Sequence, residues 1–304
     1  MKYISKYFSF IVVVALAIAL SCNKKDKNSD TIIEGSTSIL VDETLLPIVE
    51  DQVSVFENQY NAKIKLIAKS EKESVIDFTK DKAKIIVLPR ELNATEQAIF
   101  KQKQIVPRTT AFAIDALTFI KNKKSNDTLI NLEEVLDFIK GKHNGIKGLV
   151  FDNPNSSTVR YLCELAKVNQ LPSEGVFSFK TNNEVIKYVS DNEGMIGVVG
   201  VNWIFQPNKQ SAKYLENINV LSVKSAKSSD YVYPSQENIA NRTYPLARVL
   251  YIVNCQGYEG LGMGFASFIA GEIGQRIILT SGLAPMREPS RNIRIRNQIE
   301  NVKK

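Results

Sequence analysis

A single histidine, His143, stands in a chain of 304 residues that carries three cysteines and one tryptophan. It falls in Gly141-Lys142-His143-Asn144-Gly145, a polar stretch after a helical run, and reads as a solvent residue rather than a general base. The chain has no Gly-x-Ser-x-Gly elbow, Ser-x-x-Lys pair, His-Glu-x-x-His helix or Walker loop, so the signatures of hydrolytic and nucleotide-driven chemistry are missing. Glu133 and Glu134 sit on an ordinary helix face. No catalytic residue and no cofactor is therefore expected. Without a Cys-x-x-Cys or Cys/His cluster, a zinc or redox centre has no ligands. No basic cluster is interleaved with aromatics, which argues against nucleic acid. Neither an internal repeat nor a long low-complexity insert interrupts the chain beyond residue 30.

What is present begins at the amino terminus. Lys2 and Lys6 precede the apolar run Phe8–Leu20, and Ala19-Leu20-Ser21-Cys22 ends it on small residues before a cysteine. This is the form of a bacterial lipoprotein signal, residues 1–21, with lipidation expected at Cys22. The apolar run is too short to cross a hydrocarbon core of roughly 30 Å as a helix. The polar stretch 22–30 reads as a tether, and cleavage leaves about 280 residues, enough for two domains with substantial cores. The two remaining cysteines, Cys163 and Cys255, lie in apolar segments and read as separate buried thiols, although an exported compartment would permit a disulfide. The formal charge of +7 suits an anionic ligand or membrane surface, and lysines on solvated helices account for it equally well.

From Thr31 onward short β-rich runs alternate with amphipathic ones, the pattern of an α/β fold. The expected strands are Ala62–Ala68, Ala83–Leu88, Ala111–Ile120, Gly148–Phe151, Gly194–Gly200, Ile218–Val223 and Val249–Asn254. Leu45, Val49, Val53, Phe56 and Tyr60 form one apolar helix face, entered near Pro47. Asn131 with Glu134, and Thr181 with Glu184, mark helix starts at Leu132 and Asn182. Residues 121–128 and 202–213 read as surface loops with a short helix.

Two hydroxyl-rich segments are candidates for holding an anion. Gly35-Ser36-Thr37-Ser38 follows the apolar Thr31–Ile33 and is read as a turn into the first helix. Ser156-Ser157-Thr158 opens the helical run Val159–Val168 after the strand ending at Phe151. Each could be a plain helix cap. Facing each other across a cleft, they could also share a tetrahedral anion through hydroxyls and unpaired helix N–H groups.

A set of motifs then adds up. Gly35-Ser36-Thr37-Ser38-Ile39, Val55-Phe56-Glu57-Asn58-Gln59-Tyr60, Pro89-Arg90-Glu91-Leu92 and Ile114-Asp115-Ala116-Leu117 come first. Ser156-Ser157-Thr158-Val159-Arg160, Gly194-Met195-Ile196-Gly197, Tyr244-Pro245-Leu246-Ala247-Arg248 and Gly282-Leu283-Ala284-Pro285 follow. In this order the chain resembles the PstS-type phosphate-binding proteins, solute receptors of ABC importers. The resemblance implies a two-lobed periplasmic-binding-protein fold of type 2, each lobe a mixed sheet flanked by helices with the ligand cleft between them. It implies a discontinuous lobe of residues 31–108 plus 228–304 and a second lobe of 109–227. It also implies a monomer that binds inorganic phosphate or a related anion and delivers it to separate ABC permease subunits. The implied ligand set is Ser36, Thr37, Ser38, Ser70, Arg90, Ser156, Ser157 and Thr158, with Ser74 as a further candidate.

The chain departs from that family in three places. Ser157 stands where a glycine is usual, Asp152 stands where many members carry arginine, and Glu71 and Glu73 occupy a loop that is otherwise rich in serine and glycine. Asp152 could accept a proton from monohydrogen phosphate and repel sulfate, and Arg160 could restore the missing positive charge. Binding of another oxyanion or a small organic phosphate, or a surface interaction module on the same fold, are the competing readings. Tyr231, Tyr233, Tyr244 and Trp203 are read as packing residues. The run Arg287, Arg291, Arg294, Arg296 is read as a solvated face.

Overall fold

Ile85–Leu88 and Leu149–Phe151 are buried at every position, as strands covered by helices on both faces must be. They are inner strands of a ten-stranded sheet in a computed structural model that describes residues 30–142, 145–226 and 229–290. Cys22, His143 and Arg291, Arg294 and Arg296 lie outside the described residues.

The first strands and helices alternate as β1 (Glu34–Asp42), α1 (Leu46–Gln59), β2 (Asn61–Lys69), α2 (Glu71–Thr79), β3 (Ile85–Leu88), α3 (Ala94–Gln102) and the long β4 (Arg108–Asn122). Then come β5 (Leu129–Asn131), α4 (Leu132–Ile139), β6 (Leu149–Phe151), α5 (Ser157–Ala166), β7 (Val176–Ser178), α6 (Asn182–Asp191) and β8 (Ile196–Gly200). The short helices α7 (Asn202–Phe205) and α8 (Ala212–Leu215) lead to β9 (Ile218–Val220) and β10 (Ser222–Lys224). The chain closes with α9 (Gln236–Ala240), β11 (Ala247–Asn254), α10 (Leu261–Ala270), α11 (Glu272–Thr280) and β12 (Ala284–Pro285).

The main sheet runs β2-β1-β3-β11-β4-β8-β6-β7. Strand β4 belongs to both halves of it. Its residues 108–116 pair antiparallel with β11, and Leu117–Lys121 pair antiparallel with β8. One half is thus β2, β1, β3 and β11, the other β8, β6 and β7, and the carboxyl ends of β1, β2 and β6 all open toward the crevice between them. In open α/β sheets that is where ligands bind.

The helix ends follow their local chemistry. Asn131 caps α4, Ser156 caps α5 by accepting from the Val159 N–H, and Thr181 forms a reciprocal box with Glu184 at α6. On α1, Val49, Val53 and Phe56 turn inward and Phe56 meets Phe265 and Phe268 edge-on. Gly200 allows a close approach that any side chain would block: an added Cβ would lie 2.6 Å from Asn202 Oδ1 and 3.2 Å from Thr44 Cγ2.

Three expectations are corrected. Gly35-Ser36-Thr37-Ser38 is not a turn but the first part of β1, in parallel register with Ala62–Lys65 of β2, and Thr31–Ile33 is not a strand. Ile218–Val223 is not one strand but two: β9 pairs with β4 and β10 with β5. The stretch from 202 holds two short helices rather than one, and the first buries Asn202 together with Trp203, the latter as a packing residue in line with its reading from the sequence. Cys163 and Cys255 are both buried and unpaired, the arrangement favoured from the sequence.

Candidate functional site

The true turn after β1 is Asp42-Glu43-Thr44, ahead of α1 with Pro47 in its first turn. Asp42 Oδ1 accepts from the Thr44 N–H at 3.2 Å, and Asp42 Oδ2 is buried with no hydrogen-bond partner. Opposite lies the β6–α5 turn. There Asp152 accepts from Ser156 Oγ (2.6 Å) through Oδ1 and from Thr44 Oγ1 (3.2 Å) through Oδ2. Asn182, at the start of α6, donates to Glu43 Oε2 at 2.7 Å and to Asp152 Oδ2 at 3.4 Å. From α7 the Trp203 indole N–H donates to the Thr44 carbonyl at 2.8 Å. The first turn of each half therefore meets the hydroxyl and amide groups of the other.

The floor is formed by the cross-strand neighbours Arg248 and Asp115 on β11 and β4. Arg248 donates to Asp115 Oδ2 through Nε (3.1 Å) and Nη2 (2.8 Å), and through Nη1 to Ser157 Oγ (3.0 Å). Both side chains are buried. Burial raises the Asp115 carboxyl above its ordinary range, while Arg248 pulls it back. Thr158, fully buried beside Ser157 at the head of α5, has an unpartnered hydroxyl.

The rim carries a second charged set. Glu71, 3% exposed, receives Arg90 Nε and Arg160 Nε on the same oxygen, each at 2.7 Å. Arg90 also forks onto Glu96 at 2.8 and 2.9 Å, and Arg160 reaches Glu164 at 2.7 Å. Next to this set the Lys72 N–H donates to the Asn155 carbonyl at 3.1 Å, so main chain meets main chain across the crevice. On this side opens a groove of about 880 Å³ lined by Glu71, Arg90, Ser156 and Arg160; on the other lies one of about 860 Å³ lined by Glu43, Lys69, Ser70, Asn153 and Lys180.

The carboxyls that converge here are poorly compensated. Desolvation, with Glu71 adding to it, pushes Asp42 up to about 7. Desolvation likewise lifts Glu43 to about 8, aided by Asp152 and Asp42 and opposed by Asn182. Burial also raises Asp152, against the hydrogen bonds from Ser156 and Thr44. A carboxyl raised to about 7 or about 8, as Asp42 and Glu43 are, carries a proton part of the time near neutrality and can then donate to an anion. Among the described residues no group of three or more His, Cys, Asp or Glu is placed to hold a metal ion.

Of the residues expected from the sequence, Ser156, Ser157 and Thr158 are brought to the crevice. Ser70 lies at its rim, with its hydroxyl given to Glu73 at 2.6 Å, and Ser74 is buried behind it. Ser36, Thr37 and Ser38 are placed away from the crevice: they occupy the opposite half of β1, roughly 13–20 Å along the strand from the turn at Asp42. Ser36→Ala and Thr37→Val are therefore expected to change ligand affinity by less than about 0.5 kcal/mol, as read by calorimetry. Arg90 is an ion-pair residue, its guanidinium taken up by the carboxylates of Glu71 and Glu96 and by the main-chain carbonyl of Glu91. Asp152 does not pair with Arg160, which goes to Glu71 instead. Asp42, Glu43, Thr44, Asn182 and Arg248 were missed. An acid and a hydroxyl just before Pro47 are a helix-start signal that could have located the first three; nothing local marks Arg248 as buried.

With this geometry in place, the family can be stated. Residues 26–272 match the model of a PBP superfamily domain. The chain belongs to the PBP superfamily. Its mixed α/β architecture is the type 2 fold of that superfamily, with the crevice between two lobes. Phosphate-binding protein PstS of Borreliella burgdorferi is 25% identical over 296 residues, which cover 91% of this chain and 97% of that protein. A phosphate ABC transporter substrate-binding protein from Clostridium perfringens, solved with phosphate bound, superposes with a TM-score of 0.69 at 18% identity over 83% of this chain and all of the other. An ABC-type phosphate transport receptor from Vibrio cholerae gives 0.61 at 17% identity, covering 82% and 99%. These PBP relatives are binding proteins rather than enzymes, in agreement with the absence of a catalytic constellation in the sequence. No helix among the described residues is long and apolar enough to cross a membrane.

Proposed function

We propose that this protein is the extracytoplasmic solute-binding component of an ABC importer, anchored to the cell envelope through lipid on Cys22, and that its lobes close over inorganic phosphate. The observation that carries this reading is the head of α5. Ser156, Ser157 and Thr158 are buried there against Arg248 and the β1–α1 turn, and the Thr158 hydroxyl is left without a partner. A helix N-terminus, a buried guanidinium and convergent hydroxyls are the groups that hold a tetrahedral oxyanion. The naming of the relatives supports the same ligand. Ser157, Thr158, Asn182, Thr44 and Arg248 are the proposed ligand set, with Asp42 and Glu43 as protonated donors.

The lobes are taken to divide at the midpoint of β4, near Ala116, rather than at residue 108, because 108–116 hydrogen-bonds to β11. The return crossing falls between β10 and α9. The protein acts as a monomer and hands its ligand to separate permease chains. A small organic phosphate is the second reading, favoured by the polar groove beside Glu43 that Lys69 and Lys180 line and that could receive an organic tail.

Titration calorimetry with phosphate, sulfate and an organic phosphate tests the assignment. Micromolar or tighter phosphate binding is expected, and Thr158→Val is expected to weaken it by about 1–3 kcal/mol through loss of a hydrogen bond to a charged group. Folded protein that gives no heat with any of the three anions would refute the reading. For the anchor, Cys22→Ala should release the protein from the membrane fraction.

A further inference from the structure

The arginines of the crevice are already committed. Arg248 is bound to Asp115, while Arg90 and Arg160 converge on Glu71. Among the described residues Asp42, Glu43 and Asp152 form no ion pair in contact, and Arg248 acts on Asp42 only from a distance. Facing Asp42 are Glu71 from α2, Arg248 from β11, Asp152 from the β6–α5 turn and Ser157 from α5. Facing Glu43 are Asp42, Asp152 and Asn182, with Glu50, Lys69, Glu73, Lys180 and Lys209 lining the groove beside it. Closing this crevice on an anion with all three carboxyls ionised would bury several negative charges against one another, at a cost no hydrogen bond here offsets.

The orphaned oxygen gives the way out. Asp42 Oδ2 lies in a fully buried side chain and makes no close hydrogen bond, although the neighbouring Ser157 hydroxyl can turn toward Asp42. Ionised, it would be an acceptor that Ser157 and the distant charge of Arg248 compensate only in part. Protonated, it is a donor that needs an acceptor, and an oxyanion oxygen supplies one. The unpartnered, fully buried Thr158 hydroxyl independently marks the same region as waiting for a hydrogen-bonding group.

We propose that this receptor takes up a proton from solvent as it closes on its anion, lodged on the Asp42/Glu43 pair of the β1–α1 turn, so that the ligand is held by neutral carboxyl donors. This rests on the anion-receptor reading above. No covalent bond changes; one proton and one anion enter together.

The sign follows from linkage. In the open, hydrated form both carboxyls ionise near the ordinary value of about 4, and in the closed form burial raises both. Closure is therefore unhindered below the open-form values and is progressively opposed as pH rises through the closed-form values. Between the open-form value and the closed-form values of about 7 for Asp42 and about 8 for Glu43, the dissociation constant should climb by up to about tenfold per pH unit for each proton taken up, and it should level off above them.

The test is calorimetry of the mature protein in detergent with inorganic phosphate, in buffers of differing ionisation enthalpy, from about pH 5 to about pH 9, which spans the window of proton uptake and the plateau above it. Phosphate itself titrates in this range, so the quantity read is the difference between wild type and the Asp42→Asn/Glu43→Gln double variant, with Glu43→Gln alone as the milder replacement. Thermal melting establishes that each is folded. Wild type is expected to take up about one proton more than the variant and to lose affinity more steeply with pH, so that at the alkaline end the neutral variant binds phosphate more tightly. Equal proton counts and parallel pH slopes, with wild type binding well, would overturn proton uptake and leave the anion receptor standing. No phosphate binding by folded wild type at any pH would overturn both.

Discussion

Arg248→Met should abolish measurable phosphate binding and lower unfolding stability by about 3–5 kcal/mol. The two losses have different causes. Stability falls because Asp115 is fully buried and would keep its charge, or be forced to protonate, with its only ionic partner gone. Binding falls because Arg248 is, among the described residues, the guanidinium at the crevice floor, reaching both Asp115 and Ser157. The double variant Arg248→Met/Asp115→Leu separates them: replacing both members by apolar groups should recover most of the stability and none of the affinity. Urea denaturation and calorimetry on the same samples read the two effects. Full phosphate affinity in the stable double variant would remove Arg248 from the ligand set.

Replacing Glu71 should have the next largest effect, and on closure rather than on the fold. Glu71→Gln keeps the shape of the bridge but takes its charge from between Arg90 and Arg160, one on each side of the crevice. Arg90 keeps Glu96 and Arg160 keeps Glu164, so each lobe retains its own ion pair while the bridge between them goes. Both guanidiniums are partly exposed, so the loss is moderate, about 1–3 kcal/mol of closure free energy, or up to about a hundredfold in ligand dissociation constant. Trp203, the only tryptophan, donates its indole N–H across the crevice to Thr44 and so reports opening through its emission. A red-shifted, ligand-sensitive emission in Glu71→Gln is expected, together with a larger radius of gyration in solution scattering. Emission and radius matching wild type, with unchanged affinity, would show that the bridge does not hold the lobes together.

These two residues illustrate what a linear reading misses. Arg90 sits in a motif that pointed to the ligand, yet Glu71, Glu91 and Glu96 surround it, and all three lie within twenty positions of it in sequence. Arg248 stood in a quoted motif without a role. It acquires one because β11 runs antiparallel to β4 and sets it directly opposite Asp115, a pairing of residues 133 positions apart. Likewise Asp152 invites a local partner four to eight residues away. Ser156 is indeed one, but the others, Thr44 and Asn182, come from different elements.

Beyond the superfamily, which rests on a resemblance of motifs, the sequence by itself determined the alternation of strands and helices, the starts of α4 and α6 and the apolar stripe of α1. Each depends on interactions within a few residues: a cap side chain three positions from its N–H, or a repeat of three to four along one face. Only the tertiary structure decided that Gly35–Ser38 is strand, because pairing with β2 outweighs a composition suited to turns; β3 joins β1 only from Ile39 onward, so the polar first part needs no second covered edge. It also split Ile218–Val223 between two sheets and gathered Asp42, Glu43, Asp152 and Arg248 into one buried site. Hydrogen bonding and desolvation act through space, and the groups that satisfy or charge one another here are brought together by sheet order, which no local pattern of residues contains.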